Sequence, residues 1–349
     1  MKLKIKNEIE DKVNLIKDFY KVKNIQQKYF EKAKLIYDKF EKEVKCIKCL
    51  HPNCIYYDEE IKIKEKWIEN FSCDNYNKVC PVNAIEIDKT TDYPKINEEK
   101  CILCGLCAIR CPIGAIYFFN NQMIISKNES EFFKEVILSP IMLVKYQEQM
   151  KQINTLKLRH NFILEDEKIL KLIYDKVESL NEKEFKILIR NLLISLGNKS
   201  ILTKIGVVYN RMDGFFMNSQ IKGVIEIEKG KDTLEAVRRI LEDISYLDYK
   251  NNIEVNQNVP LVVCFKLPNK RQGYYQVIKD IKKVLKLEIQ TVSLGMLLIL
   301  SWNNININFI EDKIYLDFDN LSIRNIIEKK LERKINVSQG YLGITEPSK

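Results

Sequence analysis

Apolar residues recur every three or four positions over two stretches of the N-terminal half of the chain. Residues 1–45 keep this spacing without a glycine or proline, which predicts one or two charged helices that form a helical arm. The spacing returns over 130–195, where a strong apolar stripe over 180–192 ends near Gly197. We therefore predict a helical linker at 127–180 that leads into a longer helix.

Beyond Gly197 the pattern changes to short apolar runs, which are typical of β-strands and are separated by amphipathic stretches. Helices are predicted from a cap at Asp232-Thr233 to about Tyr249, then from 272 to 285, then through Trp302. The runs that predict strands are 206–210, continued after a turn at 214–216, then 223–228, 260–265 and 289–294. This order predicts a mixed α/β sheet with helices on both faces over 181–310.

The last residues, 311–349, are charged and form a C-terminal extension in this interpretation. A short strand is predicted near 314–318 and a helix near 320–334. The whole chain is 349 residues long, which is enough for two or three domains.

Cysteine use separates the first part of the chain from the rest. Nine of the ten cysteines lie between residues 46 and 111, and this clustering favours metal binding over a disulfide framework. The charged N-terminus and the absence of a long apolar run predict a cytoplasmic protein without a membrane segment. The net charge of +9 permits a nucleic-acid partner, although a lysine-rich proteome explains it equally well.

Four of these cysteines carry a motif. Cys101, Cys104, Cys107 and Cys111, with a proline after the last, have the spacing C-x2-C-x2-C-x3-C-P of a bacterial [4Fe-4S] site. A C-P-x-x-A-I sequence at Cys80 recurs 31 residues later at Cys111. The stretch from about 73 to 119 therefore resembles bacterial two-[4Fe-4S] ferredoxins. The resemblance implies that Cys101, Cys104, Cys107 and Cys80 hold one cluster, and that Cys111 serves another.

The first half of this repeat departs from the ferredoxin pattern, which has three cysteines before Cys80 where this chain has only Cys73. Cys111 with three of Cys46, Cys49, Cys54 and Cys73 would hold the second cluster and leave one spare thiol. In the alternative, Cys46, Cys49, Cys54 and Cys73 bind a zinc ion and Cys111 stays unpaired. Either way, a ferredoxin-like domain is predicted at 46–126.

Acidic residues inside the apolar strands of the second half need a partner or a metal, because burying a carboxylate costs several kcal/mol. Glu226 and Glu228 lie two residues apart on a predicted strand, so they share one face. Asp213 precedes the neighbouring strand at Gly214. Together these three carboxylates predict a site for Mg²⁺ or Mn²⁺ at one edge of the sheet.

This arrangement resembles the PD-(D/E)XK, or restriction-endonuclease-like, superfamily, whose core runs helix, three strands, helix, strand. Carried over, Asp213 matches the first acid, Glu226 the second, and Glu228 falls on the lysine position. Glu184, on the helix before the sheet, matches an extra acid that many members have. The resemblance covers about residues 180–300 and implies metal-dependent cleavage of DNA.

The missing lysine is the main departure from that superfamily. Lys229 or Lys231 could supply the cation from the turn, and Arg238 or Arg239 on the next helix could touch a phosphate. The spacing D-x12-E-x-E also occurs by chance. In that alternative, Asp213 and Glu228 are solvated edge residues and Glu226 pairs with a lysine.

Two function classes follow from these motifs. The first is a DNA endonuclease with a restriction or defence role, expected to act as a homodimer, whose iron–sulfur domain is structural, DNA-binding or redox-sensing. Basic and aromatic residues near the cysteines would then contact DNA: Lys62, Lys64, Lys66, Trp67, Tyr76 and Lys78. The second is a ferredoxin-type electron-transfer protein, or a subunit of an oxidoreductase, that docks a redox partner. In both, the chain is a multidomain protein. An α+β ferredoxin-like domain precedes a restriction-endonuclease-like α/β sheet that helices flank.

Overall fold

The computed structural model describes the cysteine-rich region and most of the predicted sheet. The described residues are 52–90, 93–111, 116–119, 122–125, 166–207, 211–230, 233–251, 258–271, 273–309, 311–312, 314 and 323–347. The predicted helical arm, Cys46, Cys49, Lys231 and most of the helical linker lie outside these residues, as does the strand predicted at 314–318 except for its first residue.

The chain divides into two compact units, and each unit is built from two separate stretches. The first consists of residues 1–56 and 78–163, and the second of residues 57–77 and 164–349. Residues 57–77 therefore pack with the sheet, although the sequence places them inside the ferredoxin-like domain. The other domain boundaries remain predictions.

The first unit contains two short antiparallel strand pairs. Strand β1 (Ile85–Ile87) pairs with β2 (Pro94–Ile96), and β3 (Ile116–Phe119) pairs with β4 (Gln122–Ile125). Both β1 and β3 begin five residues after the cysteine of a C-P-x-x-A-I sequence, at Cys80 and Cys111. A single helical turn, α1 (Leu106–Arg110), lies between the pairs. The internal repeat seen in the sequence is thus a repeat of structure as well.

The second unit is organised around a mixed five-stranded sheet whose strand order follows the chain. Its strands are β5 (Lys199–Leu202), β6 (Gly214–Met217), β7 (Lys222–Glu228), β8 (Asn258–Cys264) and β9 (Gln290–Ser293). Strands β5, β6 and β7 pair antiparallel, and β8 and β9 then add in parallel. The predicted mixed sheet with flanking helices is confirmed.

Six helices of this unit are described, and their order completes the expected pattern. They are α2 (Glu167–Glu178), α3 (Glu182–Ser195), α4 (Thr233–Asn251), α5 (Tyr274–Leu285), α6 (Leu294–Trp302) and α7 (Ile323–Leu331). Helix α3 begins with a capping box in which Asn181 and Glu184 bond each other's backbone N–H groups. Helix α6 is buried along its whole length. From α3 to β8 the order is helix, three strands, helix, strand.

Neighbouring side chains of β6 show that both faces of the sheet are covered. The ring of Phe215 lies 5.3 Å from Trp67 and 5.1 Å from Phe71, centroid to centroid. The next residue, Phe216, points the other way and lies 5.2 Å from Phe309. Since all these rings except that of Phe71 are less than 5% exposed, the sheet is the centre of the core.

The strand predicted at 206–210 is wrong where the structure describes it, because residues 205–206 form a turn. Gly206 takes a φ of +84°, which a strand does not allow, and Ile205 is exposed. The first strand is instead Lys199–Leu202, which follows closely on Gly197 and pairs with β6. The strands predicted near 214, 223, 260 and 289 are confirmed to within about two residues.

Residues 57–77 are fixed to the sheet unit by a buried arginine. Arg190 of α3 is fully buried, and its guanidinium donates to Tyr76 O at 2.6 Å and to Asn191 Oδ1. The same group lies about 6 Å from the ring centroids of Tyr57 and Tyr76. Cys73 forms an isolated β-bridge with Thr203 at the end of β5. This stretch therefore extends and covers the edge of the sheet.

In the part of the chain that the structure describes, no helix has the length and apolar character needed to cross a membrane.

Candidate functional site

The thiols of the predicted first cluster lie close enough for their charges to act on one another. Burial raises the pKa of Cys107 well above its ordinary value, and the thiols of Cys104, Cys101, Cys80 and Cys54 raise it further. The pKa of Cys104 is raised for the same reasons, first by burial and then by Cys80 and Cys101. Thiolates gathered in this way repel one another unless cations such as iron neutralise them.

Backbone N–H groups also point at these sulfur atoms. Ala84 N–H donates to Cys80 Sγ at 3.1 Å, and the N–H groups of Leu106 and Cys104 hydrogen-bond the Cys104 sulfur. The loop turns here because Gly105 takes a φ of +79°. Hydrogen bonds to ligating sulfur are among the ways in which proteins stabilise and tune iron–sulfur clusters. The donor set therefore fits a [4Fe-4S] cluster.

A single zinc ion fits these cysteines less well. In a tetrahedral zinc site each Zn–S bond is about 2.3 Å, so the four sulfurs lie within about 4 Å of one another. The described residues contain no group of three or more His, Cys, Asp or Glu side chains arranged to hold one metal ion. A cubane binds each thiolate at its own iron atom, so it accepts a wider spacing. The assignment of Cys80, Cys101, Cys104 and Cys107 to one cluster stays a prediction.

Two cysteines of the predicted second cluster, Cys54 and Cys111, are buried in the first unit. Arg110, the last residue of α1, ties the loop of Cys54 to this helix by donating to Asn53 O at 2.8 Å. By contrast, Cys73 belongs to the sheet unit, where its thiol donates to Phe71 O at 3.6 Å.

Asp213 lies just before β6, at the point where β6 and β7 separate. Its Oδ2 accepts a hydrogen bond from Ile227 N at 2.8 Å, so the carboxylate extends the ladder by one bond. Its Oδ1 lies 2.6 Å from Lys186 Nζ of α3, which also reaches Glu182 at 2.6 Å. Burial alone would lower the pKa of Lys186, but these two carboxylates outweigh it and raise the pKa.

Glu226 and Glu228 share a face of β7, as predicted, and both contact Arg239 of α4. Glu226 is 1% exposed, and its Oε2 lies 3.1 Å from Arg239 Nε. Glu228 Oε2 accepts from Arg239 Nη2 at 2.9 Å, and its Oε1 accepts from Gly230 N at 2.7 Å. Both carboxylate oxygens of Glu228 thus already have donors.

Asp243, which the sequence analysis did not select, joins this group from α4. It is 1% exposed, and its carboxyl group hydrogen-bonds that of Glu226. Burial, followed by the charges of Asp213 and Asp243, raises the pKa of Glu226, and Arg239 opposes the shift. Burial also raises the pKa of Asp243.

The sequence does contain a signal for Asp243. The buried stripe of α4 includes Ala236, Ile240 and Leu247, and Asp243 occupies the position between the last two. An acidic residue inside the apolar stripe of a helix needs the same explanation as an acid inside a strand.

The remaining candidates have other contacts. Glu184 closes the capping box at the start of α3, where it accepts from Asn181 N at 3.1 Å. Lys229 Nζ donates to the backbone oxygens of Glu178 and Leu180, at the end of α2. The structure therefore brings together Asp213, Glu226 and Glu228, and it gives Glu184 and Lys229 structural bonds. The catalytic roles of all these residues stay predictions.

The acidic group fits a divalent cation in its chemistry. Carboxylate oxygens are hard ligands that suit Mg²⁺ and Mn²⁺. Among the described residues, no N–H or hydroxyl group donates to Glu226 Oε1 or Asp243 Oδ2, and the two carboxyl groups hydrogen-bond each other instead. Arg239 Nε is also without an aligned acceptor, although Glu226 is near. No three acidic side chains of the described residues are arranged to hold one metal ion, so a cation at this group stays a prediction.

Comparison with known proteins identifies the cysteine-rich region. Residues 94–117 match the family model described as "4Fe-4S binding domain". This part of the chain, with Cys101, Cys104, Cys107 and Cys111, is therefore a 4Fe-4S ferredoxin domain.

Curated relatives match over a minor part of the chain. An uncharacterized ferredoxin of Methanocaldococcus jannaschii is 38% identical over 86 residues, which is 22% of this chain and 54% of that protein. The polyferredoxin-like subunit of aliphatic sulfonate oxidoreductase from Pyrococcus furiosus is 48% identical over 42 residues, 12% and 24% of the two chains. Formate hydrogenlyase subunit 2 of Escherichia coli is 46% identical over 44 residues, which is 13% of this chain and 21% of that protein. The chain thus spans about half the length of the first of these three relatives and about a quarter or less of the other two.

Among solved structures, the restriction endonuclease FokI bound to DNA matches with a TM-score of 0.27 and 12% identity. The match covers 63% of this chain and 39% of that one. A match with this TM-score gives no support for a shared fold or a shared function. The second unit does have the order of helices and strands that the resemblance stated from the sequence implies.

Proposed function

We propose that the chain is a divalent-metal-dependent DNA endonuclease that also carries a ferredoxin domain. One observation carries this proposal: Asp213 before β6 and Glu226 in β7 lie within electrostatic reach of each other where these two strands separate. They do so in a core with the order helix, three strands, helix, strand. Two acids on neighbouring strands at such a point are what the PD-(D/E)XK resemblance implies.

The protein's own groups have distinct parts in this proposal. Asp213 and Glu226 would hold the cation, and Lys186 keeps Asp213 in place through the 2.6 Å ion pair. Arg239 orients Glu228, and its half-exposed guanidinium is suited to contact a phosphate of the substrate. When bound, Mg²⁺ would activate a water molecule and stabilise the charge that develops on the phosphate.

The test is cleavage of supercoiled plasmid by anaerobically purified, full-length protein with Mg²⁺ or Mn²⁺. We expect Asp213→Asn and Glu226→Gln to slow cleavage by on the order of a hundredfold, as removal of a single electrostatic group does elsewhere. Glu184→Gln is the matched control, because this acid is engaged in the capping box. Equal cleavage by the wild type and the first two variants would overturn the proposal. A homodimer, expected for double-strand cutting, is tested by sedimentation of the same sample.

For the ferredoxin domain we propose two clusters. Cys80, Cys101, Cys104 and Cys107 would hold the first, and Cys111 and Cys54 would join Cys46 and Cys49 at the second. Cys73 is then the spare thiol, since its backbone bonds with Thr203 in the sheet unit. Iron and sulfide analysis distinguishes about eight irons per chain, two cubanes, from about four irons with zinc. Cys73→Ser should leave the iron content unchanged, whereas loss of about four irons would contradict this assignment.

Electron transfer is the second candidate, because both the family match and the curated relatives concern ferredoxins and subunits of oxidoreductases. A second cluster near the first would provide a path for electrons to a redox partner. This function predicts a centre that is reduced and reoxidised reversibly, followed by EPR during a redox titration, and no metal-dependent cleavage of DNA. A protein that cleaves DNA with a cluster that cannot be reduced would exclude it.

A further inference from the structure

The end of β5 connects residues 57–77 with Asp213. Two backbone hydrogen bonds, of 2.9 Å and 2.7 Å, join residues 72–74 to residues 202–204. Thr203, in the middle of this short ladder, donates its own N–H to Asp213 O at 3.0 Å. A displacement of residues 72–74 would therefore move the backbone that carries the carboxylate of Asp213.

A second short ladder closes residues 57–77 at their two ends. Tyr57 N donates to Asn77 O at 2.7 Å, and Val79 N donates to Ile55 O at 2.8 Å. Between these two bonds the strands form an isolated antiparallel bridge. The next residue on each strand, away from residues 57–77, is a cysteine.

These two cysteines, Cys54 and Cys80, lie among the thiols of the ferredoxin domain. Both act electrostatically on the buried thiol of Cys107, and Cys80 also acts on Cys104. Metal binding by cysteines is coupled to folding, because the ligands are held in place only while the metal is bound. Loss of a cluster should therefore release the second ladder at its cysteine end.

Residues 57–77 are also held by contacts that do not involve a cysteine. Arg190 donates to Tyr76 O at 2.6 Å, and the ring of Trp67 packs against Phe215 of β6. All four of these residues belong to the sheet unit. Loss of a cluster should therefore loosen residues 57–77 without unfolding the sheet.

We propose that residues 57–77 transmit cluster binding to Asp213. While a cluster is bound, this stretch is fixed at both ends and keeps the end of β5, and with it Asp213, in position. Loss of the cluster loosens the stretch and lowers cleavage. This inference rests on the proposed function for the role of Asp213 and on the proposed ligands Cys54 and Cys80. It goes further because it makes the nuclease depend on iron, so that the cluster regulates cleavage.

Hydrogen exchange of backbone amides, followed by mass spectrometry, measures this link without DNA. Full-length, anaerobically purified protein is compared before and after iron removal with ferricyanide and EDTA. We expect exchange to become at least about tenfold faster in peptides that cover residues 57–77 and in those that cover residues 202–204. Peptides from β8 should keep their rate, because this strand lies between β7 and β9 in the same sheet.

Cysteine variants repeat the comparison without chemical treatment. Cys80→Ser should lose iron and show the same selective increase in exchange. Cys264→Ala is the matched control, because this buried cysteine lies in β8, and it should keep both its iron and the exchange rates of the wild type. Fluorescence gives a second measurement: in Trp302→Phe, where Trp67 is the one tryptophan left, the emission maximum should shift to the red when iron is removed.

Faster exchange confined to residues 57–77 and 202–204 supports the inference. Unchanged exchange after iron removal overturns it, and so does a change that does not reach 202–204, a change that includes β8, or full iron content in Cys80→Ser. Plasmid cleavage by the same samples separates the two proposals. Selective exchange in a protein that never cleaves DNA keeps the link and removes the nuclease. Cleavage and exchange that both persist unchanged after iron removal keep the nuclease and remove the link.

Discussion

Replacing Asp213 by alanine should destabilise the sheet unit in a way that replacement by asparagine does not. Alanine removes the acceptor of the 2.8 Å hydrogen bond from Ile227 N, and Ile227 is buried. Leaving that N–H unpaired costs about 2 kcal/mol. Alanine also takes from Lys186 one of its two carboxylate partners, which adds about 1 kcal/mol because Glu182 remains. Reduced repulsion at Glu226 offsets part of this cost.

The expected net loss for Asp213→Ala is therefore about 2–3 kcal/mol of unfolding free energy. Asparagine keeps an oxygen that can accept from Ile227, so Asp213→Asn should lose only about 1 kcal/mol. Activity assays should accordingly use the asparagine variant. Loss of activity in the alanine variant would not distinguish a catalytic role of Asp213 from destabilisation of the fold.

Urea unfolding followed by tryptophan fluorescence measures the difference in unfolding free energy between the two variants, and it does so in the unit that contains the sheet. The two tryptophans of the chain, Trp67 and Trp302, are both buried, and both belong to the unit that contains the sheet. Lys186→Met serves as the partner variant in a double-mutant cycle. Equal losses of unfolding free energy for the alanine and asparagine variants, or a loss below about 1 kcal/mol for alanine, would refute this role of the Ile227 hydrogen bond.

Three further predictions concern pH, packing and the cluster. Burial raises the pKa of Glu226, so its contribution to stability is full below about pH 4 and is lost as pH rises through the raised pKa. The melting temperature of Glu226→Gln should therefore fall less than that of the wild type between acidic and neutral pH, and parallel curves would contradict this. Gly223→Ala should cost about 2 kcal/mol in urea unfolding, because its Cβ would lie 2.1 Å from the Phe216 ring; an unchanged midpoint would exclude this clash. Cys104→Ser should lose the part of the visible absorption that belongs to the first cluster, whereas Cys264→Ala should keep all of it. Full absorption in Cys104→Ser would remove Cys104 from the ligands.

The sequence specified the chemistry of the first unit better than its boundaries. Local spacing alone identified the cysteines at 101, 104, 107 and 111, because a cluster loop is a short-range structure. That residues 57–77 pack with a sheet that begins at residue 199 was not predictable, since this depends on Arg190 meeting Tyr76 across more than a hundred positions.

The sheet unit shows the same division between local and long-range information. Strands β7 and β8 were predictable because they are apolar runs, whereas Lys199–Leu202 is a strand only because β6 lies beside it. Asp213 and Glu226 were selected as acids at strand positions. Asp243 was not, because a single acid on an amphipathic helix has many ordinary explanations.

The position of residues 57–77 has a consequence for how the chain is made. This stretch leaves the ribosome long before α3 and β6, yet Trp67 and Phe71 are covered by Phe215 of β6. While synthesis continues, a nascent chain carries these two large apolar side chains without their final neighbours, between the segments that supply Cys54 and Cys80. During synthesis, therefore, the loop between Cys54 and Cys80 exposes apolar surface that favours aggregation until β6 has been made.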